Sequence, residues 1–125
     1  MSAALTWIGV GLLGGCGAVL RVLLTVGVTA RFAPAGRLPF GTVAVNVSGS
    51  ALLGLLAGLT LSDDAMLVAG TGLLGGYTTF STWMVDSERL AQERRSRAVA
   101  ANVVGSLVAG LVALLLGRAL ARLLA

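Results

Sequence analysis

The stretch GGYTTFSTW (Gly75–Trp83) interrupts a run of residues otherwise apolar enough to cross a membrane. Two adjacent glycines loosen the backbone, and the hydroxyls of Thr78, Thr79, Ser81 and Thr82 follow with Phe80 among them. A lipid-facing helix has no use for that mixture, because polar groups inside a bilayer are costly unless each has a partner. The spacing points to a transmembrane helix broken near its middle, which is tolerated only where the freed backbone groups meet protein or a cavity. Carbonyls released there suit a hard cation, and the start of a half-helix suits an anion. Phe80 and Trp83 are three apart and share a face if the helix resumes. Their ring edges carry partial positive charge and can face an anion; the plainer reading is a Ser/Thr-rich kink with core aromatics.

The rest of the chain fits a membrane setting. Its 125 residues are 57% hydrophobic and 11% charged, with a mean hydropathy of +0.96, which is too apolar for a soluble domain of this size. Four apolar runs, about 5–30, 40–61, 65–85 and 98–117, each hold roughly 20 residues, enough at ~1.5 Å rise to span a ~30 Å hydrocarbon core. These runs predict one all-α unit over 1–125 with four transmembrane helices and no soluble domain. No basic residue precedes the first run, so it does not read as a signal peptide. Cys16 is the single cysteine and His is absent, which argues against a zinc or transition-metal catalytic site.

The isoelectric point near 11.1 would suggest nucleic acid in a soluble protein. Here all nine basic residues are arginines, and eight of them, all but Arg21, lie in or near the loops and the C-terminal end, which suits anionic lipid headgroups and membrane topology instead. Arg31, Arg37, Arg89, Arg94, Arg95 and Arg97 fall on the first and third loops, six against the two (Arg118 and Arg122) on the other side. That bias favours both termini outside the cytoplasm. Small residues recur at four-residue spacing: Gly11 and Gly15; Ser50, Gly54 and Gly58; Gly72 and Gly76; Ser106 and Gly110. The pattern predicts close helix packing. Four short helices enclose little interior, so an oligomer is expected.

A few polar side chains lie inside the spans. Arg21 either snorkels toward the first loop or caps backbone carbonyls beside a hydrated vestibule. Asn46 in the second span, and Asn102 with Ser106 one turn apart in the fourth, are either interhelical glue or the lining of a pore. No acidic residue lies inside the first, second or fourth span, and Asp86 and Glu88 come only at the end of the third. A proton-coupled exporter of cations, the rival reading for a four-helix membrane protein, needs an embedded carboxylate.

GGYTTFSTW resembles the third-helix signature of the small fluoride channels called Fluc or CrcB. The likeness extends over the chain through GGCGAVLR (Gly14–Arg21) and GTVAVNVSG (Gly41–Gly49). The resemblance implies an antiparallel dimer in a prokaryotic cell membrane, with two fluoride pores and a structural sodium ion at its centre. It implies that the backbone carbonyls of Gly75 and Thr78 hold the sodium. Asn46, Phe80, Ser81, Thr82 and Trp83 then correspond to the fluoride pore, as do Asn102 and Ser106 with Gly110 on the fourth helix. Arg21 corresponds to the family's first-helix arginine. Trp83 departs from the pattern, which usually has Phe, and brings an indole N–H donor. Asn102 and Gly110 stand where hydroxyl side chains are often found. The second subunit is a second copy of the chain or, given the six-to-two arginine count, an oppositely oriented paralogue.

Overall fold

The computed structural model describes residues 1–32 and 38–125, and every regular element among them is helical. Arg37 of the first loop lies outside the described residues. Helix α1 runs Ala3–Phe32 and α2 Phe40–Gly58. The third apolar run forms two pieces, α3 (63–77) and α4 (Ser81–Gln92). Helix α5 runs Ser96–Leu124. By length and composition α1, α2 and α5 can each cross a membrane. Neither α3 nor α4 alone reaches the ~20 residues needed.

The ends of these helices follow from local chemistry. SDD (Ser62–Asp64), which punctuates the sequence between spans, is the start of α3. The Ser62 hydroxyl accepts the Ala65 N–H at 3.2 Å, and two aspartates occupy the first turn, where the helix dipole favours negative charge. Asp64 also accepts from the Thr6 hydroxyl at 2.9 Å and pairs with the Met1 amino group at 3.1 Å. The Thr6 hydrogen bond first, and then the amino group, hold its carboxyl below the usual range. At the far end, α4 closes on Arg94 in a left-handed conformation (φ 56°). Arg94 N–H reaches Ala91 O and Arg95 N–H reaches Leu90 O, the paired bonds of a Schellman turn.

The glycine pair at 75–76 does not break the helix. Gly75 has helical dihedrals (φ −63°, ψ −39°), and 75–77 continue α3. Gly76 serves packing instead, whereas a Cβ on Gly75 would meet only the Gly70 carbonyl at 3.9 Å. A Cβ on Gly76 would fall on the Gly14 carbonyl, and one on Gly17 would fall on the Leu73 carbonyl, so α1 and α3 meet backbone to backbone. The α2–α5 seam is built the same way, with Gly54 against the Leu114 carbonyl and Gly117 against the Ala51 carbonyl. Gly11 and Gly15, which share the four-residue spacing, have nothing within 4 Å and lie on an open face.

Among the described residues only Val45, Leu74, Leu90 and Ala121 are buried apolar side chains, while Leu12, Leu23 and Leu116 are among the many left exposed. Such a surface would drive association in water. In a bilayer the lipid tails solvate it. Two stretches depart from α-helical winding, a π-helical Leu67–Leu74 within α3 and a π-helical Ala101–Gly105 within α5.

Candidate functional site

The break itself is Thr78–Phe80. Thr78 turns to extended backbone (φ −82°, ψ 163°), and the helix resumes at Ser81. Two of the N–H groups freed there have side-chain partners. The Thr79 N–H, which an unbroken helix would give to the Gly75 carbonyl, goes to Asn46 Oδ1 at 2.8 Å. Asn46 Nδ2 returns a bond to the Thr79 carbonyl, also at 2.8 Å. The carboxamide thus pairs with Thr79 as a second peptide unit would. The Thr82 N–H is taken by the Thr79 hydroxyl at 3.2 Å. The carbonyls of Gly75 and Thr78 therefore lose their helical donors.

Arg21 fills part of that gap. Its Nη1 donates to the Thr78 carbonyl at 3.2 Å, so of the two readings open for this side chain the structure has the carbonyl cap. Two further ties hold α2 against α3 and α4. Ser48 and the Tyr77 hydroxyl are 2.8 Å apart, and Thr42 donates to Asp86 at 2.7 Å.

A groove of about 470 Å³ opens between α2, the break and α5, and Asn46, Thr79, Phe80, Trp83 and Ser106 line it. Gly75 and Thr78 reach the same wall. Phe80 is 69% exposed, and its ring meets Trp83 edge to face, with centroids 5.8 Å apart and planes at 82°. Ser81 and Thr82 stand exposed on the first turn of α4, with their hydroxyls 3.3 and 3.1 Å from that of Thr79. The wall therefore combines aromatic rings, hydroxyls and one carboxamide with leucine side chains of α2, α3 and α5, and no carboxylate lies among its lining residues. Such a wall can replace part of an anion's hydration without a fixed counter-charge.

Asn102 is placed differently from Ser106. It is buried, 5% exposed, and its amide nitrogen donates to Ser87 Oγ at 2.9 Å. Ser87 Oγ donates to the Trp83 carbonyl at 2.8 Å, and the Trp83 indole N–H donates to the Asn102 carbonyl at 3.0 Å. Three residues close a circuit between α4 and α5. The Ser106 hydroxyl lies 3.5 Å from Asn102 Oδ1, at the outer limit of a hydrogen bond. Sequence reasoning passed over Ser87, Ser48 and Tyr77. For Ser87 the usable signal is its place four residues after Trp83, on the same helix face.

Comparison with known proteins bears on the whole chain. The family described as CrcB-like protein, Camphor Resistance (CrcB), matches residues 8–118. A protein of Mycobacterium bovis named fluoride-specific ion channel FluC 2 is 52% identical over 125 residues, covering 98% of both chains. The FluC 2 of Mycolicibacterium paratuberculosis is 50% identical over 98% of this chain and 99% of its own. The fluoride-specific ion channel FluC 1 of Symbiobacterium thermophilum is 42% identical, covering 93% and 97%.

Proposed function

The chain belongs to the CrcB family, and on that premise we propose that it is a fluoride-selective channel of the cell membrane. It is a transport protein and not an enzyme. Fluoride runs passively down its electrochemical gradient. With an inside-negative potential that direction is outward, which keeps cytoplasmic fluoride low. The observation that carries this reading is the groove wall, where Phe80, Trp83, Asn46 and Ser106 come together beside the exposed hydroxyls of Ser81 and Thr82.

The proposed mechanism is exchange of hydration for fixed weak donors. Ring edges and hydroxyls attract an anion less than a cationic side chain would, so the ion can enter and still leave. Narrowness and fixed donor geometry disfavour the larger chloride. Asn46 cannot reorient freely to follow the ion, because both ends of its carboxamide are engaged by Thr79. Its part is to hold the start of α4 in register with the groove, with one N–H beyond the one given to Thr79.

Four crossings, with α3 and α4 together making the third, and an antiparallel second subunit complete the proposed channel. The open side of the groove and the uncovered Gly11–Gly15 face support a partner. The six-to-two arginine count supports one fixed orientation, which a paralogue of opposite orientation would complement. Flux from this chain reconstituted alone would assign the partner to a second copy.

The residues at the break fit the sodium ion that the family resemblance implies. Gly75 and Thr78 present carbonyl oxygens, a donor type suited to a hard cation. Thr79 and Thr82 direct their N–H groups elsewhere, leaving both carbonyls without helical donors. Arg21 engages Thr78, and a carbonyl has a second lone pair. Two such carbonyls from each of two subunits would hold the ion, whose chemistry is to neutralise converging dipoles.

The test uses purified chain in liposomes loaded with potassium fluoride, with a potassium ionophore and a fluoride electrode outside. Fluoride efflux well above protein-free vesicles is expected, with little chloride efflux in the parallel experiment. Absence of fluoride efflux, or equal chloride efflux, overturns the channel reading. Replacing sodium throughout purification with a large organic cation is expected to abolish the flux, and unchanged flux would remove sodium from the proposal.

A further inference from the structure

The circuit behind the groove bears on how Trp83 can stand in an anion path. An indole N–H is a stronger donor than any ring C–H. Free to turn into the groove, it would hold fluoride too firmly for release and would offer chloride a donor of its own. The structure puts that N–H elsewhere. It points at the Asn102 carbonyl, 3.0 Å away, at the π-helical turn of α5.

The arrangement is closed and sheltered. Asn102 and Ser87 are 5% and 7% exposed, and their mutual bond is buried. Ser87 returns to the backbone of Trp83 itself, so the residue is held at both its indole nitrogen and its carbonyl. From the groove side Phe80 meets the ring edge to face. Three restraints from three neighbours, Asn102, Ser87 and Phe80, hold the residue.

We propose that Ser87 and Asn102 are positioning residues that keep the Trp83 indole N–H on a protein carbonyl, so that only ring carbons face the ion path and fluoride-over-chloride discrimination is preserved. The proposal rests on the channel reading. Ser87 and Asn102 touch no ion; they act through Trp83.

The experiment takes the full chain with Trp7→Phe, so that Trp83 gives the single indole signal, labelled with ¹⁵N at the indole nitrogen, in lipid nanodiscs. The Trp83 N–H resonance is expected to exchange slowly with solvent and to stay in place as fluoride is added. Ser87→Ala is expected to speed that exchange by about tenfold, the scale of one hydrogen bond, and Ser87→Thr, which keeps the hydroxyl, to restore it. In liposomes Ser87→Ala is expected to lower fluoride-over-chloride discrimination by about tenfold on the same grounds. On a Trp83→Phe background, where no N–H exists to be released, Ser87→Ala is expected to change discrimination no further. An indole resonance that shifts with fluoride in the Trp7→Phe chain overturns the proposal whatever the variants do. Equal loss from Ser87→Ala on both backgrounds also overturns it, leaving Ser87 a packing residue. No fluoride flux from the unmodified chain overturns the channel reading and this inference together, whereas flux with either of the other two results overturns this inference alone.

Discussion

The break at Thr78–Phe80 and the π-helical turn at Ala101–Gly105 are both departures from α-helical winding, and each involves an asparagine. They differ in what the outside partner supplies. At the break the carboxamide comes from another helix, and Asn46 on α2 supplies both partners that Thr79 needs. At the π-helical turn the asparagine belongs to the irregular helix, and the outside partner is a ring, the Trp83 indole, received by the Asn102 carbonyl. A third irregularity, the left-handed Arg94, sits in the loop after α4. There turn bonds to Ala91 and Leu90 carbonyls suffice, and water can reach the rest. The difference teaches what a buried irregularity needs. Where ladder bonds are lost away from water, as at Thr79, a dedicated side chain replaces them. Where the ladder is kept, as at Asn102, whose carbonyl still takes the Ser106 N–H, a side chain only adds to it.

Asn46→Leu should break the comparison most severely. It leaves the Thr79 N–H and carbonyl without partners, a cost of about 2–5 kcal/mol for two part-buried groups. We expect a lowered thermal unfolding midpoint in detergent and loss of fluoride flux; a midpoint unchanged from the parent would show that Thr79 finds other partners. Asn102→Leu should cost less, about 1–3 kcal/mol, because the Asn102 carbonyl survives and chiefly the Ser87 bond is lost. The double variant sharpens the contrast. Asn46 and Asn102 share no hydrogen-bond partner, so their losses should add within about 0.5 kcal/mol. A larger coupling would mean that break and turn act as one unit.

Smaller effects are expected at the membrane boundary. Asp64 has its carboxyl held low in the folded protein, chiefly by Thr6. Its contribution is therefore present above the ordinary carboxylate value and is lost as pH falls through the lowered one. Protection of the amides at the start of α1, taken relative to intrinsic exchange at each pH, should hold at pH 6 and fall only below about pH 4; loss of protection already near neutrality would count against Asp64 as the tether. Smallest of all, Arg94→Gly should stabilise by about 1 kcal/mol by relieving a left-handed non-glycine, with flux unchanged. Destabilisation by Arg94→Gly would show that the arginine side chain, and not its backbone, matters to the turn.

Much of this was legible in the residues. The apolar runs located α1, α2 and α5 to within a few residues at most ends, and the hydroxyl–aromatic cluster located the interruption. The agent of the break was not legible. Gly75 and Gly76 look like helix breakers, yet both are helical, and the use of Gly76 is approach to α1, which only the position of Gly14 reveals. The Thr79 N–H and carbonyl are settled by Asn46, thirty-three residues away, and local propensity carries no trace of such a pairing. Asn102 and Ser106 do share a face, their side chains 3.5 Å apart. What spacing could not show is depth: Asn102 is buried against Ser87 while Ser106 lines the groove.

The length of α1 has its own consequence. Thirty residues make a rod of about 45 Å, against a hydrocarbon thickness of about 30 Å. Such a helix leans, or its ends emerge into the headgroups, by an amount set by lipid chain length. Arg21 fastens the flank of that rod to the Thr78 carbonyl. A change of lean is thus delivered to the one place where the third run has no ladder to resist it, which makes acyl-chain length a variable to hold constant whenever conductance is compared.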